Sequence, residues 1–283
     1  MRIYGIDFTS APLPPRSRSK PGKCLTCAVA DLDECGCTLT INKIYKWVSF
    51  RGFVKLLTCE QSWVAAIDFP FGLPKEFLDA LSWGNTWAEY VAQVEKAGKE
   101  CFEKQVRTFG MRLMRRVDEL AHSRSPLQLD YIPVCKMFFQ GAQRLLRSSV
   151  DIVPVRRTDS CAKILEAYPA LVGEKCGHRN GYKQDNPRKQ NCEQRTAREN
   201  IVNYLHSDKC LHDYGFRVSN SSLENKMLSD PTGDTLDAVL CAVQSAWGYI
   251  HRNENYGLAH DANVLEGWIA DPSLLIDRGL GVI

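Results

Sequence analysis

The sequence predicts an α/β protein built on a mixed sheet flanked by helices. Three observations carry this. Short apolar runs of strand length that end in an acidic residue recur along the chain. Two alternating runs joined by a Gly-containing link read as an antiparallel hairpin. Stretches of helical periodicity separate the later runs, so the later strands join the sheet by crossovers. The 283 residues, 44% of them hydrophobic, suffice for one large domain with a sizeable core.

Taken in order, RIYGIDF (2–8) is a buried strand ending at Asp7. SAPLPPRSRSKPGK, rich in Pro, Ser and basic residues, is a loop. CLTCAVADL and TLTINKIYKWV form the hairpin around DECGC, and RGFVKLLTCE is a short helix. WVAAIDF is a second buried strand, after which Pro70, Gly72 and Pro74 turn the chain out of the sheet. TWAEYVAQVEKAGKECFEKQVRTFGMRLMRRVDELA and MFFQGAQRLLRSS are helical, so residues 75–159 read as a helical insertion between the fourth and fifth strands of a single domain, 1–283. KILEAYPA is a strand ending at Glu166. A polar loop follows it, then the amphipathic helix CEQRTARENIVNYLH and the apolar, buried helix of GDTLDAVLCAVQSAWGYI. The tail carries VLEGWIADP and ends in an extended run.

No apolar run is long enough to span a membrane and the N-terminus has no secretory pattern, so the chain is expected to be cytoplasmic, with no membrane partner. The twelve cysteines then read as reduced thiols. Cys24, Cys27, Cys35 and Cys37, and separately Cys176, His178, Cys192, Cys210 and His212, carry fragments of zinc-site spacing. Cys24 and Cys27 would point to opposite faces of a strand and the second set is irregularly spaced, which disfavours structural zinc at either place. No Cys has a His–acid companion to make it a nucleophile. The net charge of +3 names no partner, but residues 99–157 hold 12 Lys/Arg against 6 Asp/Glu. Such a module suits a polyanion, and equally a solvated basic helical face.

The acidic motifs carry the chemistry. Asp7 and Asp68 end two strands in the same way, Gly-Ile-Asp-Phe and Ala-Ile-Asp-Phe. Ligands of open α/β sheets bind beyond the carboxyl ends of the strands. Glu166 ends a third run, and Asp234 and Asp237, three apart at a helix start, share a face. Oxygen-only ligands of this kind suit Mg²⁺ or Mn²⁺, singly or as a two-ion site. Each acid alone also has a plain explanation, in turn chemistry or in a favourable charge at a helix N-terminus. Thr9 and Ser10 follow the first Asp, where they can donate to a phosphate or shape the turn. Lys183, Lys189, Arg195 and Arg198 can hold a phosphate, while Arg195 and Arg198 also fit a salt-bridging helix surface. The glycine-free FTSAPLPP after Asp7 argues against ATP binding.

The order of the N-terminal strand-Asp, IDFPFGLP, EAYPA, GDTLDA and EGWI resembles the domain of unknown function 429 family. The resemblance covers Tyr4 to about Ile269 outside the helical insertion. It implies an RNase H-like fold and nuclease-like chemistry, with Asp7 and Asp68 as strand ligands, Asp234 and Asp237 as helix ligands, and Glu166 as an assisting acid. The D-x-x-D helix opening is also similar to Holliday-junction resolvases. The expectation is a Mg²⁺- or Mn²⁺-dependent nuclease acting on DNA or RNA. The alternatives are a non-catalytic module that binds nucleic acid or protein, and a metal-dependent hydrolase of small phosphoesters or nucleotides.

Overall fold

The computed structural model describes residues 1–14, 22–110, 112–219 and 223–275. Most of the expected Pro/Ser-rich loop and the expected extended C-terminal run lie outside them. In chain order the elements are β1 (Arg2–Asp7), β2 (Leu25–Leu32), β3 (Thr38–Trp47), α1 (Arg51–Leu57), β4 (Trp63–Ile67), α2 (Lys75–Leu81), α3 (Trp87–Phe109), α4 (Arg116–Leu120) and α5 (Val134–Leu146). They continue with β5 (Asp151–Ile152), β6 (Ala162–Glu166), α6 (Pro169–Glu174), α7 (Cys192–His206), α8 (Asp208–Tyr214), β7 (Arg217–Ser219), α9 (Glu224–Leu228) and α10 (Asp234–Ile250).

The seven strands form one mixed sheet in the order β5-β6-β4-β1-β2-β3-β7. β1, β2 and β3 pair antiparallel, while β4 and β6 run parallel on the other side of β1. The α/β mixed sheet, its antiparallel hairpin and its crossovers are therefore as expected. Two short strands, β5 and β7, extend the edges; at two and three residues they are too short to show periodicity.

Side chains alternate across the sheet, which divides the core into two layers. One face presents Ile3, Val64, Ala66 and Leu165 to α10 and α7. The other presents Ile6, Ala65, Ile67 and Ile164 to α1, α2, α3 and α5. The four helices between β4 and β5 thus include much of the second layer: Phe77, Val94, Phe102 and Phe138 share one cluster with the strands. Most of their basic residues are already engaged. Arg107 and Arg112 lie near Asp130, Arg116 pairs with Asp261, Arg147 with Glu95 and Arg157 with Asp151. This covering of the sheet accounts for the helical apolar stripes, and the pairings spend much of the local positive charge.

α10 lies across the middle of the sheet and is buried along nearly its whole length. It approaches β1 closely at Gly5. A Cβ there would stand 2.1 Å from the carbonyl oxygen of Ala238 and 2.1 Å from the amide nitrogen of Ala242. Backbone meets backbone, so only glycine fits. Among the described residues no helix is long and apolar enough to cross a membrane.

Candidate active site at the ends of the central strands

Register brings the strand acids together. Ile6 of β1 is level with Ile67 of β4, so Asp7 and Asp68, one residue further on, are neighbours. Both continue the alternation of the α10 face, after Ile3 and Gly5 and after Val64 and Ala66. α10 begins beside them. Gly233, at φ 79°, starts the helix, and a Cβ there would meet the Lys183 side chain at 2.7 Å. Asp230 organises the entry: it accepts from the amide and hydroxyl groups of Thr232 and Thr235, and from Lys46. Asp234 and Asp237, in the first turn, are near enough to Asp7 for their charges to act on it.

The four aspartates divide by partner. Asp237 is buried and held on both oxygens: the Tyr182 hydroxyl donates to Oδ1 at 2.5 Å and the Lys183 ammonium to Oδ2 at 2.5 Å. Asp7, Asp68 and Asp234 are partly exposed, and their carboxylates accept no hydrogen bond from a described residue. Burial, then the charges of Asp234, Asp237 and Asp68, push the Asp7 carboxyl well above the ordinary range. Burial, opposed by Lys183 and reinforced by Asp237 and Glu166, lifts Asp68 to about 7. Burial with Asp230 and Asp237 lifts Asp234 to about 6. Desolvation pulls the Lys183 ammonium down, but Asp237, Tyr182 and Asp68 outweigh it and leave it well above its usual value.

A pH dependence follows. Three folded-state carboxyls hold protons above their unfolded range, so the folded chain binds more protons than the unfolded chain from about pH 4 to about pH 7. Their stabilising contribution is complete below that window and is lost as pH rises through it. The metal-free protein is expected to lose melting temperature between pH 5 and pH 8. Thermal melts in a chelator at constant ionic strength measure this, and a melting temperature that climbs over the range contradicts it.

Glu166 departs from the expected set. It is level with Ile67 in the sheet, so its side chain belongs to the opposite face from Asp7 and Asp68. There it meets Arg115, which the sequence reading did not single out. All five guanidinium N–H groups are used. Nε and Nη2 donate to Asp118, Nη1 and Nη2 to Glu166, and Nη1 also to the carbonyl of Glu266. The Phe71 amide donates to Glu166 at 2.9 Å, and Ser123 to Asp118 at 2.7 Å. Glu266 in turn accepts from the Lys75 amide at the start of α2, at 2.6 Å. One buried guanidinium therefore ties IDFPFGLP, EAYPA and EGWI together. Burial raises the Glu166 carboxyl and Arg115 opposes it. This fully bonded carboxylate anchors the floor of the site instead of presenting a free ligand.

The basic candidates also separate. Only Lys183 reaches the acids. Arg195 pairs with Glu199 on the exposed side of α7. Arg198 is buried and donates to the carbonyls of Leu228 and Tyr182, so it props the Tyr182–Lys183 segment from behind instead of facing a substrate. Lys189 stands exposed in a short 3-10 turn. Thr9 is buried and Ser10 half-buried, just past β1. Signals for Arg115, Asp118 and Tyr182 were absent from the sequence, because each acts through a partner at least 50 positions away or through a turn that only the fold defines.

Among the described residues no three His, Cys, Asp or Glu side chains come close enough together to hold a metal ion. All twelve cysteines are free, and Cys241, packed beside the acids, has its thiol pushed well up by burial and by Asp68, Asp7 and Asp237. A raised thiol is a poor nucleophile. The donor set is compatible with a hard cation held by one or two carboxylates and completed by water and substrate oxygens, which is the usual manner of Mg²⁺. It does not suit a closed cage built from protein alone.

Beside the acids, beyond the strand ends, lies a cavity of about 230 Å³. Asp68, Lys183, Tyr168 and the anchored Glu166 line it on one side, and Ile132, Val134 and Met137 on another. Gln244 of α10 secures Tyr168 by bonding both its amide and its carbonyl. Compared with known proteins, the chain matches no family model, no characterised protein and no solved structure. The resemblance set out above stands on its motifs alone.

Proposed function

We propose that this chain is a metal-dependent hydrolase of phosphodiester bonds in nucleic acid, with an RNase H-like fold and its site at Asp7, Asp68, Asp234 and Asp237. One observation carries the reading: Asp7 and Asp68 stand side by side at two parallel strand ends, with Asp234 at the neighbouring helix start close enough for its charge to act on Asp7, all three partly open to solvent and without a hydrogen-bond donor among the described residues. Like charges held this way favour a cation. The sheet supports the fold reading, with its antiparallel hairpin, its later parallel strands and a helix across the centre.

Asp7 and Asp68 are the residues that would hold Mg²⁺ or Mn²⁺, with the charge of Asp234 adding to the field at Asp7. An ion there supplies positive charge to acidify a water and to stabilise the leaving oxygen. The chain's own groups do the rest. Tyr182 and Lys183 fix Asp237. Lys183 brings a positive charge to the cavity wall, where it attracts a phosphate. The Arg115 network holds the loops that shape that cavity.

Calorimetric titration with Mn²⁺ tests the reading. Saturable binding that is lost in Asp68→Asn is expected. A second reading, a non-catalytic module that binds nucleic acid, is favoured by one observation: Lys183 already neutralises Asp237, and no three-ligand group forms among the described residues. Absence of Mn²⁺ binding, with retained and salt-sensitive binding of nucleic acid, would overturn the first reading for the second.

A further inference from the structure

The cavity beside Asp68 has features that neither the acids nor the fold requires. Its volume, about 230 Å³, lies below the roughly 300–1,000 Å³ of pockets for drug-sized molecules. It suits one small unit and excludes a duplex. Its lining is two-sided. Lys183 and Arg124 bring positive charge beside Asp68 and beside Asp118 and Glu166, the latter two paired with Arg115, while Ile132, Val134 and Met137 offer an apolar wall. Arg124 is exposed and, unlike Arg115 and Arg116 nearby, makes no ion pair or hydrogen bond with a described residue. The residue before the apolar wall is Tyr131, which is 99% exposed at φ 61°, a left-handed conformation uncommon outside glycine. Tyr131 does not itself line the cavity, but an exposed aromatic ring one residue from its lining offers a stacking platform for a base.

We propose that this cavity receives one phosphorylated nucleotide unit at the end of a nucleic-acid strand. Arg124 and Lys183 draw its phosphate. Ile132, Val134 and Met137 cover its uncharged part, and Tyr131 stacks the next base outside. Joined to the hydrolase reading, on which this consequence rests, the site removes terminal nucleotides. The hydroxyl of a water joins phosphorus, the phosphorus–oxygen bond to the neighbouring nucleotide breaks, and the proton goes to the departing oxygen. The products are a mononucleotide and a strand shorter by one.

Calorimetry with adenosine 5′-monophosphate and with a 5′-phosphorylated ten-nucleotide strand tests the cavity, and a covalently closed circle of the same sequence tests the requirement for an end. The monophosphate is expected to bind, and Arg124→Gln to weaken it about tenfold or more, the loss of a charged hydrogen bond. Tyr131→Ala is expected to weaken the strand about fivefold or more and to leave the monophosphate unchanged. The linear strand is expected to be shortened and the circle to survive.

No binding of the monophosphate, or equal binding by Arg124→Gln, overturns the cavity assignment. An unchanged strand affinity in Tyr131→Ala overturns the strand end in favour of a free small phosphoester. A circle cut as fast as the line overturns end-directed action. Monophosphate and strand binding with no cleavage of either substrate removes the hydrolase reading and leaves the cavity assignment supported.

Discussion

Asp7→Asn is expected to abolish cleavage while the chain keeps its fold. The substitution is nearly isosteric, so the strand end and its packing persist. What disappears is one of the two neighbouring strand carboxylates. An amide oxygen is a weaker ligand for a hard cation than a carboxylate, and a site that relies on one or two carboxylates cannot spare one. The same change removes a charge that Asp68, Asp234 and Asp237 all disfavour. The variant is therefore expected to melt no lower than wild type at pH 8 without metal, and to show a flatter decline with pH. Nuclease assays in Mn²⁺, paired with thermal melts, measure both. Wild-type activity in Asp7→Asn on the same substrate would sink the assignment of Asp7.

Arg115→Met carries the largest expected effect on stability. Arg115 and both carboxylates it serves are almost fully buried, at 1% and 2% side-chain exposure. Removing the guanidinium leaves Asp118 and Glu166 facing each other without their cation. Breaking a buried pair from one side costs about 3–5 kcal/mol. For a chain of this size that is about 5–8 °C of melting temperature. The double variant Arg115→Met/Glu166→Leu is expected to recover part of the loss, because it removes the stranded carboxylate as well. If the single variant melts within about 2 °C of wild type, the network is not the anchor described above. Because the network lies beneath the cavity, a stable Arg115→Met protein with unaltered ligand binding would likewise count against it.

The sequence was a good guide where a local pattern sets the outcome. Apolar runs with terminal acids located β1, β4 and β6, and helical periodicity located α3, α5, α7 and α10. The acidic start at Asp234 marked the beginning of α10, whereas the capping box of Asn191 and Gln194 that opens α7 is a signal the sequence reading did not use. The role of Glu166 was not legible in the same way. Its motif looks like those of Asp7 and Asp68, but which face of a sheet a strand's last residue occupies depends on register with its neighbours. Register placed Glu166 level with Ile67, and that one-residue difference in phase separated it from the aspartates. Arg198 reads as an exposed helix residue by composition; only the packing of α7 against the segment around Tyr182 buries it. The basic stretch at 99–157 shows the same limit, since charge can be counted along a chain while the partners of that charge come from elsewhere in the fold.

The contact at Gly5 has a consequence for how this site can change. Strand and helix touch there through main-chain atoms, which have no rotamers to adjust. The contact acts as a fixed ruler between the end of β1 and the start of α10. A variant of this site can change its reach by lengthening a side chain, from Asp to Glu, but not by sliding the helix. The backbone positions of Asp7 and of the start of α10 are thus held at one spacing. Whatever is recognised among the acids is selected by size and charge, with little help from adaptation of the fold.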